Sequence, residues 1–149
     1  MVVTAAGMPL APALAAKSAD EKAEIFDIRL GVDARKRTRI VLDVTADPHY
    51  RARIAESAGG KQLLVEIDHA GFDIGGRATG DGAGIGQLGG YRFSGSADGL
   101  ATLAFDLAET AVPQAVFVIK PKGDTSHHRL VIDMAAASEA AFAEQISRE

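Results

Sequence analysis

The sequence has no cysteine in its 149 residues. Disulfides, thiolate nucleophiles and zinc–thiolate centres are therefore excluded. The compartment stays open, because a cysteine-free chain suits the cytosol and an exported bacterial protein alike. Positive charge is not in excess either. Sixteen Lys and Arg stand against twenty Asp and Glu, a net charge of −4. Such a balance gives no electrostatic footprint for nucleic acid or an anionic membrane. No apolar run reaches the ~20 residues that cross a bilayer. The opening stretch MVVTAAGMPLAPALAA carries no charge, but it is short and is interrupted by Pro9 and Pro12.

Catalytic signatures are missing as well. There is no G-x-S-x-G elbow and no His-Glu-x-x-His pattern. The four histidines, His49, His69, His127 and His128, lack the spacing of a zinc site. GIGQLG (84–89) formally matches G-x-G-x-x-G, but strand-like GGYRFSG follows it where a phosphate-binding helix is needed. The surrounding glycine-rich stretch reads as a flexible connection. Asp43, Glu66, Asp106 and Asp133 could supply paired carboxylates. They fall on an outer sheet face, a poor place to shift a pKa by burial.

Residues 1–16 read as the remnant of an export signal or as a disordered Ala-rich tail. Ala13-Leu14-Ala15 fits a signal-peptidase site, and polar KSADEK follows at once.

What the chain does have is a period of two from residue 25 to 134. In RIVLDV, Ile40, Leu42 and Val44 share one face, with Arg39, Val41 and Asp43 on the other. QLLVEI, TLAFDL and RLVIDM repeat the arithmetic. Eight strands are expected, near 25–30, 38–45, 49–54, 61–68, 90–95, 101–108, 114–119 and 128–134. IRL (28–30) aligns with YRF (91–93), and RIVLDV with TLAFDL, at one constant offset of 63. These signals predict an all-β fold: a β-sandwich of two similar four-stranded sheets from an internal duplication. The segment AAASEAAFAEQISRE favours a short C-terminal helix or linker over 135–149.

The line Arg-x-Val-x-Asp occurs twice, at Arg39, Val41, Asp43 and at Arg129, Val131, Asp133. Residues i and i+4 on a strand lie ~13 Å apart, so Arg39 cannot pair with Asp43. Each charge must meet solvent, a neighbouring strand or a ligand. Cross-strand ion pairs that keep the sheet soluble are one reading. The other is a binding line, with arginine for carboxylates, aspartate for hydroxyls or amines, and valine as an apolar patch.

DIRLGVDARKRTRIVLDVTADPHYRARI with LLVEIDHAGF resembles the AMIN domain of periplasmic N-acetylmuramoyl-L-alanine amidases, as does GIGQLGGYRF…ATLAFDLAETAVPQAVFVIKPK…HRLVIDM with its second half. The resemblance covers about residues 24–134, its second half being of the kind found in alphaproteobacterial members. It implies a β-sandwich with exposed motif strands, and a non-catalytic module that binds peptidoglycan and targets an amidase to the septum during daughter-cell separation. Carried over, the peptidoglycan-binding motif falls on Arg39, Val41, Asp43, Arg129, Val131 and Asp133. Gln62 and Thr102 depart from it in the inner copies.

A periplasmic location is implied, with peptidoglycan as partner, divisome or amidase-activator proteins as further candidates, and no nucleic acid or membrane span. No cofactor is expected in this domain, since zinc would belong to a separate catalytic domain of the parent hydrolase. The alternative parent is a pilus secretin or other envelope assembly protein carrying an AMIN-type domain. A lipocalin-like small-ligand barrel is a weaker third reading.

Overall fold

The computed structural model describes residues 22–148, so the export-signal reading of 1–16 lies outside the described residues. Two five-stranded sheets stack on a shared apolar core. The first has the order β5-β1-β2-β10-β9 and the second β3-β4-β8-β7-β6. In chain order the strands are β1 (Ala23–Val32), β2 (Thr38–Val44), β3 (Tyr50–Ser57), β4 (Gly60–Ile67), β5 (Ala70–Phe72), β6 (Gly80–Ala83), β7 (Leu88–Gly95), β8 (Ala101–Leu107), β9 (Ala111–Ile119) and β10 (His128–Ala136). All pairs are antiparallel except β1 with β5.

The core is the inward set of each alternating strand. Ile40, Leu42 and Val44 from β2 meet Leu130, Ile132 and Met134 from β10 on one side. Leu63, Val65 and Ile67 from β4 and Leu103 and Phe105 from β8 face them from the other sheet. Each of these side chains is withdrawn from water, a gain of roughly 1.5–3 kcal/mol apiece.

The sheets hold more strands than the eight expected. β5 and β6 add one short edge to each, and both lie in the glycine-rich stretch, where three or four residues are too few to display a period of two. The four-stranded parts that remain are related by the duplication. Replacing β1, β2, β3 and β4 by β7, β8, β9 and β10, and the reverse, turns β1-β2-β10-β9 into β7-β8-β4-β3. Each sheet therefore takes two strands from each half of the chain.

The glycine-rich stretch is not the slack connection that composition suggests. Gln87 is buried and grips the β1–β2 hairpin. Its Nε2 donates to the Lys36 carbonyl at 2.8 Å, and its backbone N–H to Thr38 Oγ1 at 2.9 Å. The Thr38 hydroxyl in turn donates to Gln87 Oε1. Gly86 sits at φ 63° against Thr38 and Val32, so a Cβ there would be both strained and crowded. Composition registers the freedom of glycine, but not the packing that uses it up.

Pro113 lies inside β9, an edge strand, where a missing N–H is tolerated. A bulge shifts the β9–β10 register beside it, between Asp133 and Met134. After β10 comes the helix α1 (Glu139–Arg148). Ser138 caps it, accepting the Ala141 N–H at 3.0 Å. α1 packs on β3 and β9, one edge strand from each sheet, and drives Phe142 into the core. It thus closes one open side of the sandwich. No helix among the described residues is long and apolar enough to cross a membrane.

Phe142 is the plug of that side. Phe142→Ala should destabilise the domain by roughly 3–5 kcal/mol, while exposed Glu144→Ala should stay within about 0.5 kcal/mol. Urea unfolding followed by circular dichroism reads both.

Candidate functional site

The outer face of the first sheet is a small lattice fixed by strand register. Crossing β1, β2, β10 and β9 in turn, one row reads Asp27, Asp43, Arg129, Ile119. The middle row reads Arg29, Val41, Val131, Phe117. The third reads Gly31, Arg39, Asp133, Ala115. The two Arg-x-Val-x-Asp lines are thus neighbours, running in opposite directions. Arg39 lies opposite Asp133, Val41 opposite Val131, and Asp43 opposite Arg129. An antiparallel repeat of one line is self-complementary, because reversal places each end beside its opposite charge.

The lattice is tied by arginine forks. Arg39 donates to Asp133 through Nε and Nη2, both at 2.8 Å. Asp43 is held the same way, at 3.0 and 2.9 Å, by Arg29 from β1 and not by Arg129. His127 Nε2 is also 2.9 Å from Asp43 Oδ1, and its ring meets Phe26 edge to face. The Arg39 guanidinium lies 5.9 Å from the centre of the Phe117 ring. The Nε of Arg129 and Nδ1 of His128 are buried without a hydrogen-bond partner among the described residues.

Burial separates the six motif residues into classes that alternation alone cannot distinguish. Arg39 is exposed, and Val41 and Arg129 are half-buried. Asp43, Val131 and Asp133 face outward by register, yet are only 4%, 2% and 6% exposed. The expectation that all six stand open to water is corrected here. Arg29 and His127 close on Asp43, Arg39 closes on Asp133, and Val131 lies between Val41 and Phe117 of the flanking strands. The forks also stabilise the charged state. The Arg39 guanidinium holds the Asp133 carboxyl below its ordinary value of 3.8, and Asp133 raises the pKa of Arg39 in return.

The second sheet carries the related face. Arg92 donates to Asp106 at 3.1 Å, as Arg29 does to Asp43 one offset of 63 earlier. The other positions diverge. Gln62 donates to Asp106 at 3.0 Å where Arg129 lies opposite Asp43, and Thr102 faces Glu66 where Arg39 faces Asp133. The Gln62 amide and then Arg92 hold the Asp106 carboxyl below its usual range.

Sequence reasoning missed Arg29, Gly31 and His127 as parts of this face. The offset aligns Arg29 with Arg92, a signal that could have singled it out. His127 gave no signal, since its contact depends on how the loop before β10 folds back. No cluster of three or more His, Asp or Glu that could hold a metal occurs among the described residues. No family model matches the chain, and no curated protein matches it.

The Asp133 carboxylate contributes stability above the ordinary carboxylate range, and this is lost as pH falls through its lowered value. Arg39→Gln should therefore cost roughly 1–2 kcal/mol at neutral pH, Arg39 being half in water. The gap to wild type should close as pH falls from about 5 to about 2. Denaturant melts across that range check the sign.

Proposed function

We propose that this domain is a non-catalytic peptidoglycan-binding module that targets a periplasmic N-acetylmuramoyl-L-alanine amidase to the septum for cell-wall cleavage. One observation carries the reading. The two Arg-x-Val-x-Asp lines, the most specific part of the AMIN resemblance, lie side by side on one sheet face. There Arg39 keeps about half of its side-chain surface in water while Asp133 fixes its fork. Such a group is pre-organised for a second carboxylate or a hydroxyl, because its rotamer is already fixed. In the apolar middle row Val41 and Phe117 reach water, with Val131 sealed between them, and the exposed pair suits the carbon faces of sugars and short peptides.

The polymer is anionic and the chain carries −4. Long-range attraction therefore opposes binding, and contact must come from local complementarity. Affinity per site is modest on this reading and is multiplied by the repeating polymer. Hydrolysis falls to a separate zinc-bearing domain of the parent protein. His127 and Asp43 do not stand in for such a centre, since their bond serves the lattice.

The wild-type domain should co-sediment with purified sacculi. The Arg39→Ala/Arg129→Ala double variant should remain folded by circular dichroism and lose most of the pelleted fraction. Equal sedimentation of the two proteins would remove these arginines from the binding face, and no sedimentation of either would remove the wall-binding reading itself.

A further inference from the structure

Between the two forked arginines of the first sheet lies a depression of ≈ 410 Å³, walled by Arg29 and Arg39 and lined by Gly31 and Val41. Its floor exists because Gly31 has no side chain. A Cβ built there would meet nothing within 4 Å, and the backbone is ordinary strand, so the space is not required by the fold. Arg29 and Arg39 each bind their own aspartate through Nε and Nη2. Their Nη1 groups have no protein partner among the described residues. On adjacent antiparallel strands the two are diagonal neighbours, ~7–8 Å apart at the backbone, close enough to converge on one small anion.

Asp33 also borders the depression. Its carboxylate is already occupied by the backbone N–H groups of Arg35 and Arg37 and by the Arg37 fork at 2.8 and 2.7 Å. The hairpin segment 33–39 carries four cations, Arg35, Lys36, Arg37 and Arg39, against that one acid. Arg37 is matched by Asp33, Arg39 by Asp133, and Arg29 by Asp43 with Asp27 at 3.8 Å, so the positive excess of this hairpin rests on Arg35 and Lys36. Gln87 and Thr38 hold the same hairpin in place from behind.

The duplication supplies an internal comparison. An equivalent depression of ≈ 440 Å³ lies on the second sheet, lined by Arg92, Ser94, Thr102 and Ala104 at the positions of Arg29, Gly31, Arg39 and Val41. There a hydroxyl side chain fills the glycine position, threonine replaces the second arginine, and Asp81 from β6 adds a negative charge. One frame has thus been given two chemistries. Only the first can offer two guanidinium groups to an anion.

We infer that the Arg29–Gly31–Arg39 depression is a carboxylate subsite and that its counterpart on the second sheet is not. The inference rests on the wall-binding reading for the identity of its ligand, a free carboxylate of the glycan's lactyl group or of a stem-peptide terminus. Both sources present the same planar group to the arginine forks.

The test is an NMR titration of the whole chain with four probes. N-acetylmuramic acid is set against N-acetylglucosamine, and N-acetyl-D-alanyl-D-alanine against its C-terminal amide. The acids should shift the Gly31 amide and the Arg29 and Arg39 side-chain signals, and the neutral partners should not. The acid that saturates at lower concentration identifies the source. Arg39→Gln should weaken the response about tenfold, the loss of one charge-assisted contact. Gly31→Val removes no member of either ion pair, its Cβ enters open space, and it should weaken the response by a comparable factor while the urea midpoint stays near wild type, which separates binding from folding. Arg92→Gln should leave the response within about twofold of wild type.

Equal shifts from acids and neutral analogues, shifts centred on Arg92 and Ser94, or full binding by Gly31→Val would overturn the inference. Its failure is distinguishable from that of the wall-binding reading. Sacculi that bind without carboxylate-specific shifts refute only the subsite. Carboxylate-specific shifts without sacculus binding refute only the polymer assignment.

Discussion

Two aspartates nearly closed off from water, in the middle of a sheet, set the terms for everything around them. Asp43 and Asp133 sit on the outer face, where a carboxylate without donors would be costly. Each is satisfied by a two-pronged arginine from the next strand, and that demand fixes the register of β1, β2 and β10. A slip by one residue would place each fork over a core position and turn Leu42 or Ile132 outward. Charge and grease therefore specify the same alignment, and the outer face becomes as ordered as the interior.

That order has a functional side. A free arginine pays rotamer entropy whenever it grips a ligand, whereas one already locked by an aspartate pays little. Alternation of residues alone is compatible with either a paired lattice or a binding line. In the folded chain the two descriptions are compatible, because a guanidinium has more donors than one carboxylate consumes. The sheets have then diverged. The first keeps two forked arginines and a glycine, and the second keeps Arg92 but has Thr102 and Ser94 in the other two places and an acid nearby.

Much of the architecture could be read from the residues. Alternation found Ile40, Leu42, Leu63, Phe105 and Ile132 as core, and the offset of 63 revealed the repeat. Those signals are local, or depend on identity at fixed spacing. What escaped depends on distant contacts. β5 and β6 are too short for periodicity. The Gln87 clamp joins residues about fifty positions apart. The burial of Asp43, Val131 and Asp133 arises from side chains of other strands lying across them, which no single strand's pattern encodes. Arg29 was visible only as a spacing marker, since its partner is fourteen residues away on β2.

The way the halves interleave carries a corollary. Each repeat gives two strands to one sheet and two to the other, so a single repeat has no closed interior of its own. One repeat taken alone would therefore need a second copy to complete both sheets, as an intertwined pair. With both copies on one chain, a substitution in one face need not appear in the other, and the two depressions differ accordingly.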